Sequence, residues 1–148
     1  MLINKENLKR LGEDYESHQK IFDEFMDKIS HQFLDIPSLY FEFLPGEIRM
    51  KYLGKTFSIR HQFSIEEQVG YLTLFYVNES DNCEVFEAIE KYQFKKEGNA
   101  RLADSSDNGY PWNLHSFTED FFYQLIDNVI EFSIERERSG YIKMWRKL

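Results

Sequence analysis

A chain of 148 residues can bury a core in one domain without disulfides or metal, and its 17% aromatic content supplies ring area for that core. Its 26 acidic and 18 basic residues give a formal net charge of −8, which repels phosphate backbones and anionic lipid and argues against nucleic-acid and membrane partners. No apolar run approaches the roughly 18 residues of a membrane span, and the single Cys83 with no signal-peptide pattern leads us to expect a cytoplasmic protein without disulfides.

In chain order, Asn4 is placed to cap a first helix, with Ile3 set to staple onto Leu8, and Pro37 ends that helix by Ile36. Leu8, Leu11, Tyr15, His18, Phe22, Phe25 and Ile29 alternate spacings of three and four, which draws one stripe down about eight turns. From Phe22 the stripe widens to include Ile21, Met26 and Phe33, the breadth of a helix lying on a core. Before Phe22 it is a narrow seam, interrupted by Gly12, that overhangs any sheet built from ordinary strands.

From Ser38 the period changes to two. Leu39, Phe41 and Phe43 precede a Pro45-Gly46 turn; Ile48, Met50 and Tyr52 alternate with Glu47, Arg49 and Lys51; after Gly54-Lys55, Phe57, Ile59, His61 and Phe63 alternate with Ser58, Arg60 and Gln62. Ser64 to Glu67 has capping-box spacing and predicts a helical turn. Tyr71 to Val77 is a nearly continuous apolar run, which predicts a central strand covered on both faces. Cys83 to Lys95 fits a helical stripe or a strand; the hairpin-like Lys96-Glu97-Gly98-Asn99 leading to Ala100–Ala103 favours a strand. Residues 104–115 form a long loop, 116–139 a helix begun by Ser116 and Glu119 and stopped by Gly140, and 140–148 a basic, aromatic tail. The fold class is thus a single α+β domain: a two-layer sandwich with an antiparallel meander of five to six strands and both long helices on one face.

Candidate chemistry is sparse. Cys83 stands beside Glu84, which raises a thiol pKa, and lacks the context of a nucleophile. His18, His31, His61 and His115 have no mutual spacing of a helical metal site. Asp104, Ser106, Asn108 and Gly109 reproduce the first half of a calcium loop, but His115 stands where the bidentate Glu is required, so we expect no metal and no cofactor. Gly-rich phosphate loops are missing. His61, on the inward face of its strand, is a candidate ligand group and more simply a hydrogen-bonded core histidine. Tyr110, Trp112 and His115 form a candidate partner or ligand surface on or beside the loop, although Trp112 also suits a plug for the core. The tail from Tyr141 to Leu148 is a further candidate, or a segment docked on the acidic body.

In size, acidity and element order the chain resembles in outline the small secretion-chaperone class of acidic adaptors; it shows no motif residue of that class, and we assign no family. The reading that follows is a non-enzymatic acidic protein-binding module, of the immunity, antitoxin or adaptor kind. The alternatives are a small-ligand binder with an aromatic pocket around His61 and an enzyme without a local motif. The seam of Leu8, Leu11, Tyr15 and His18 is expected to support a homodimer, unless the last helix covers it.

Overall fold

The computed structural model describes residues 3–80, 82–106 and 108–147, with the side chains of 80 and 140–147 outside that description. Helix α1 (Lys5–Gln32) begins where expected, with the Asn4 side chain accepting from the Asn7 backbone N–H at 2.8 Å. It stops at Gln32, a turn short of Ile36, because a bend follows before Pro37. Ile3 and Leu8 are 67% and 57% exposed, so the anticipated staple does not bury either residue.

Among the described residues seven strands follow, β1 (Leu39–Leu44), β2 (Glu47–Tyr52), β3 (Lys55–Ser64), β4 (Val69–Ser80), β5 (Cys83–Phe94), β6 (Asn99–Leu102) and β7 (Trp112–Asn113). Each pairs antiparallel with the next, in the order β1 to β7. The meander is as expected and slightly larger; the extra strand is the two-residue β7, lying within what reads as a loop. Turn chemistry sets the registers. Leu53 and Gly54 both take positive φ, the geometry of a two-residue hairpin, and Gly46 at φ 70 does the same after Pro45. At Ser64 the predicted turn forms, with the Gln68 N–H bonded to the Ser64 carbonyl at 2.8 Å.

Register fixes which residues share a face. Met50 pairs with Phe57, Ile59 with Leu74, and Leu72 with Tyr92, so these residues line one side of the sheet. That side is dry. Ile48, Met50, Phe57, Ile59, Leu72, Leu74, Tyr92 and Phe94 are fully buried there against Phe22, Phe25 and Ile29 of α1. Helix α2 (Thr118–Lys147) adds Phe121, Phe122, Leu125 and Val129. Burying one such side chain contributes about 1.5–3 kcal/mol, so this layer accounts for the fold's hydrophobic drive. Phe25 meets Phe121 at 5.5 Å between centroids and Phe33 meets Phe122 at 4.2 Å, placing the ring contacts to α2 in the second half of α1 and at its C-cap.

Strand β5 resolves its own ambiguity. A register shift between Leu74 and Phe75 leaves Ile89 between Glu90 and Ala88, an irregularity that breaks period two and imitates a helical stripe. Helix α2 also differs from expectation. It starts at Thr118, two residues after Ser116, and continues through Gly140 to Lys147, so residues 140–147 are helix and not a tail. One glycine inside a helix costs only about 1 kcal/mol, too little to stop it. The side chains of Tyr141 to Leu148, proposed as a surface, lie outside the described residues.

Candidate functional site

Among the described residues no helix covers the second side of the sheet. Strand β4 is central, fourth of seven, yet Tyr71, Thr73 and Phe75 on this side are half-buried, because their cover comes from neighbouring side chains and not from a second layer. Both-face coverage was therefore the wrong inference from an apolar run. Threonine, tyrosine and phenylalanine in alternation also suit a sheet whose outer face is closed by long side chains.

The centre of this open face is an ion cluster on aromatic ground. Glu47 and Ser58 are 9% and 0% exposed although no helix lies over them, because the side chains beside them lie flat across the strands. The Ser58 hydroxyl donates to the Glu47 carboxylate, and the same carboxylate oxygen accepts from Arg60 Nε at 3.1 Å and Arg49 Nε at 3.2 Å. Arg49 turns its Nη2 to Glu84 at 2.7 Å. The Arg60 guanidinium sits 4.1 Å from the Phe86 ring centre and that of Arg49 5.7 Å, while Phe86 meets Phe75 edge-on at 5.9 Å. Burial alone would push the Glu47 carboxyl up. The bonds from Ser58 and Arg60, together with the charges of Arg60 and Arg49, outweigh it and hold the group below its ordinary range. Arg49 is raised in turn, chiefly by its bond to Glu84.

Beside this cluster a hollow of about 390 Å³ opens toward β1, lined by Tyr40, Phe41, Glu42, Arg49, Lys51, Thr56 and Glu79. Tyr40 is 67% exposed at its rim. On the other flank Lys91 lies 4.2 Å from the Tyr71 ring, whose hydroxyl donates to Glu67 at 2.6 Å; that bond pushes the phenol up to about 12. The face sets Arg49, Lys51, Arg60, Lys91 and Arg101 against Glu42, Glu47, Glu79 and Glu84. It is near neutral in a chain of net charge −8.

The residues singled out from sequence scatter over both sides. Tyr110 joins the open face, its ring 4.5 Å from Lys95 Nζ and 4.8 Å from the Arg101 guanidinium. Trp112, two residues on, goes to the dry side, edge-on to Tyr92 at 5.6 Å and 6.0 Å from Phe121. It closes the end of the core. His115 ties the α2 entry to α1, its Nδ1 2.9 Å from Glu24 Oε2 and its carbonyl accepting from Lys28. Cys83 is exposed with a free thiol at the β4–β5 hairpin.

His61 and His18, 43 positions apart, come together under α1. His61 stacks on Phe22 at 5.5 Å and lies 5.4 Å from Phe94; His18, 2% exposed, lies 5.7 Å from the same Phe94 ring and 5.2 Å from Phe63. Phe94 reaches that place because Gly70 opposite it has no Cβ, which would stand 2.4 Å from the ring. Burial, with the neighbouring His18 charge, lowers the His61 pKa to about 4. Of the remaining seam, Leu8 and Tyr15 are 57% and 48% exposed, Leu11 is half-buried, and Tyr15 touches Phe63 by its edge at 6.1 Å.

Among the described residues no three His, Cys, Asp or Glu groups gather to hold a metal ion, and no helix is long and apolar enough to cross a membrane. The cluster of Glu47, Arg49, Arg60, Phe75 and Phe86 was not singled out from sequence, where Glu47, Arg49 and Arg60 are outward positions on two strands, Phe75 belongs to an apolar run and Phe86 shares its period with Tyr92 and Phe94. The register shift at Ile89 turns Phe86 to the open face, against the alternation that runs back from Tyr92 and Phe94. Comparison of the chain with protein-family models, with curated proteins and with solved structures finds no match.

Proposed function

We propose that the chain is a non-enzymatic protein-binding module and that it docks its partner on the open face of the sheet. The observation that carries this reading is the guanidinium-on-aromatic cluster of Arg49, Arg60 and Phe86, held flat over a buried carboxylate beside a hollow rimmed by Tyr40. Arginine and tyrosine are the residues that dominate binding energy at protein interfaces, and a cluster already fixed by its own hydrogen bonds loses little side-chain entropy when a partner covers it. A partner with apolar side chains to fill the hollow and carboxylates to meet the guanidinium edges fits this surface. Acidity of the remaining body then acts on encounter and solubility more than on the contact itself.

The test is affinity capture from native extract with the chain immobilised through its N-terminus. A stoichiometric protein retained by wild type and lost with Phe86→Ala plus Tyr40→Ala, at unchanged melting temperature, supports the reading. Capture that is indifferent to these substitutions contradicts it. A second reading, self-association through α1, is favoured by the exposure of Ile3, Leu8 and Tyr15 on one end of the helix. It predicts a dimer by light scattering that Leu8→Glu with Leu11→Glu converts to monomer; a wild-type monomer at micromolar concentration excludes it.

A further inference from the structure

Strand β1 ends the sheet, and among the described residues no strand pairs with its outer side. Hydrogen-bond phase says what that edge offers. Leu44 and Glu47 flank the two-residue Pro45-Gly46 loop and so bond to each other; at period two Glu42 bonds to Arg49 and Tyr40 to Lys51. The His61 N–H, which donates to the Gly46 carbonyl at 3.2 Å, agrees with that phase, because it turns Gly46, the neighbour of Glu47, toward β3. The main-chain N–H and C=O of Phe41 and Phe43 therefore point off the sheet. Leu39 has the same phase, but its N–H already donates to the Ile36 carbonyl at 3.3 Å. At the far end of the sheet the edge strand β7 has two residues and is protected by its shortness. β1 has six residues and no lysine, proline or bulge to guard it. Phe43 and Leu44 are exposed, and Glu42 is its single charge.

We propose that this edge takes an extended, basic segment of a partner protein as a further antiparallel strand. Glu42 sets the charge of that segment. The partner residue opposite Glu42 falls between the two that exchange bonds with Phe41 and Phe43, close enough for a lysine or arginine to pair with the carboxylate. β2 makes the same match from the inner side, with Arg49 opposite Glu42 and with Ile48 and Met50 opposite Phe43 and Phe41. The segment thus alternates apolar, basic, apolar, and its apolar residues continue the dry side beside the stacked rings of Phe41 and Phe43, 5.8 Å apart. A net charge of −8 favours encounter with a basic chain. A second copy of this chain lacks that complement. Centred on Glu42, a two-fold pairing satisfies Phe41 and Phe43 but sets Glu42 directly against Glu42. Centred on Phe41, it brings Phe43 to Leu39, whose N–H is taken; centred on Phe43, it brings Phe41 to Pro45, which has no N–H to give. The edge adjoins the hollow at Tyr40 and Glu42 but is made of main chain, so it stands whether or not the open face docks a protein.

The experiment uses the full chain and three end-blocked peptides: Thr-Val-Lys-Val-Thr, the same peptide N-methylated at both valines, and Thr-Val-Glu-Val-Thr. The Phe41 and Phe43 amide resonances read the edge directly. Both should shift saturably and exchange more slowly with solvent when the lysine peptide is added at millimolar concentration. The N-methylated peptide, which has lost the donors for the Phe41 and Phe43 carbonyls, should not bind, and the glutamate peptide should bind about tenfold more weakly than the lysine peptide. Glu42→Lys, with folding checked by its melt, should reverse the order of the lysine and glutamate peptides. Unmoved Phe41 and Phe43 amides, equal binding of the N-methylated peptide, or an order that Glu42→Lys does not change overturns the proposal. Protection of the two amides that grows with protein concentration in the absence of peptide puts a second copy on the edge and overturns it as well.

Discussion

The two sides of the sheet solve the same problem by different physics. On the helix side, rings and aliphatic chains from α1, α2 and six strands exclude water, and among the described residues the buried side-chain polar atoms without a partner are Nε2 of His18 and Nε2 of His61. On the open side, long charged side chains lie over short ones, so that Ser58 and Glu47 are buried beneath Arg49, Arg60 and Phe86 without a second layer. Burial alone therefore does not identify a core. In the first kind of burial a truncated side chain leaves a cavity; the second is a network in which one missing member leaves charges unpaired.

The comparison can be broken first at its dry side. Leu125 is fully buried between α2 and the sheet, and Leu125→Ala should cost about 2–5 kcal/mol in a denaturant titration. An unchanged midpoint would mean that α2 does not pack there. Gly70→Ala probes the same layer from the backbone, since the new methyl meets the Phe94 ring; about 1–3 kcal/mol is expected, together with loss of the ring contacts that hold His18 and His61.

On the open side, Glu47→Ala should cost about 1–3 kcal/mol, because it leaves Ser58 and two guanidinium groups without their shared acceptor. Replacing Arg60 and Glu47 together should cost less than the sum of the single changes, which a double-mutant cycle measures.

Acid separates the two sides by pH. His61 has a folded pKa of about 4, below its unfolded value of about 6.5. The unfolded chain binds the extra proton between those values, so the His61 contribution to stability is full above the higher one and falls as pH drops toward the lower. His18, Asp14, Asp23 and the Gln19 side chain are the polar groups around this ring and its partner; His61→Phe should flatten the dependence in that window. Glu47, whose folded pKa is lowered, acts in the carboxylate range: its contribution is present above the unfolded value and disappears as pH falls through the folded one. Glu47→Gln should remove that later step and leave the His61 window intact. The smallest effect belongs to the hairpin at Leu53, where φ is +54 and the side chain is 60% exposed; Leu53→Asn should raise stability by about 0.5–1 kcal/mol.

These contrasts also explain what could be read in advance. α1 was legible from its cap at Asn4 and its stripe, and β2 and β3 from strict alternation, because local period and turn residues decide both. β5 was equivocal for a physical reason, the irregularity at Ile89, and the helix runs past Gly140 because one glycine costs too little to stop it. Trp112 and Tyr110 looked like one surface; β7 pairing turns the first inward, while the second packs against Lys95 and Arg101 on the other side. The meeting of His18 with His61 and the assembly of Glu47, Arg49, Arg60 and Phe86 depend on register and on where a helix crosses the sheet. No local pattern in a single sequence encodes either.

Cys83 offers the most direct test of the central claim, that the open face is the docking surface. It is exposed at the β4–β5 hairpin, one residue before Glu84 and three before Phe86, and it is the one cysteine of the chain. A photo-crosslinker attached to its thiol, activated in native extract, should yield a single discrete protein adduct with wild type and lose that adduct with Phe86→Ala plus Tyr40→Ala at an unchanged melting temperature. An adduct of equal yield in the substituted chain, or crosslinks to many proteins in proportion to their abundance, would contradict the account.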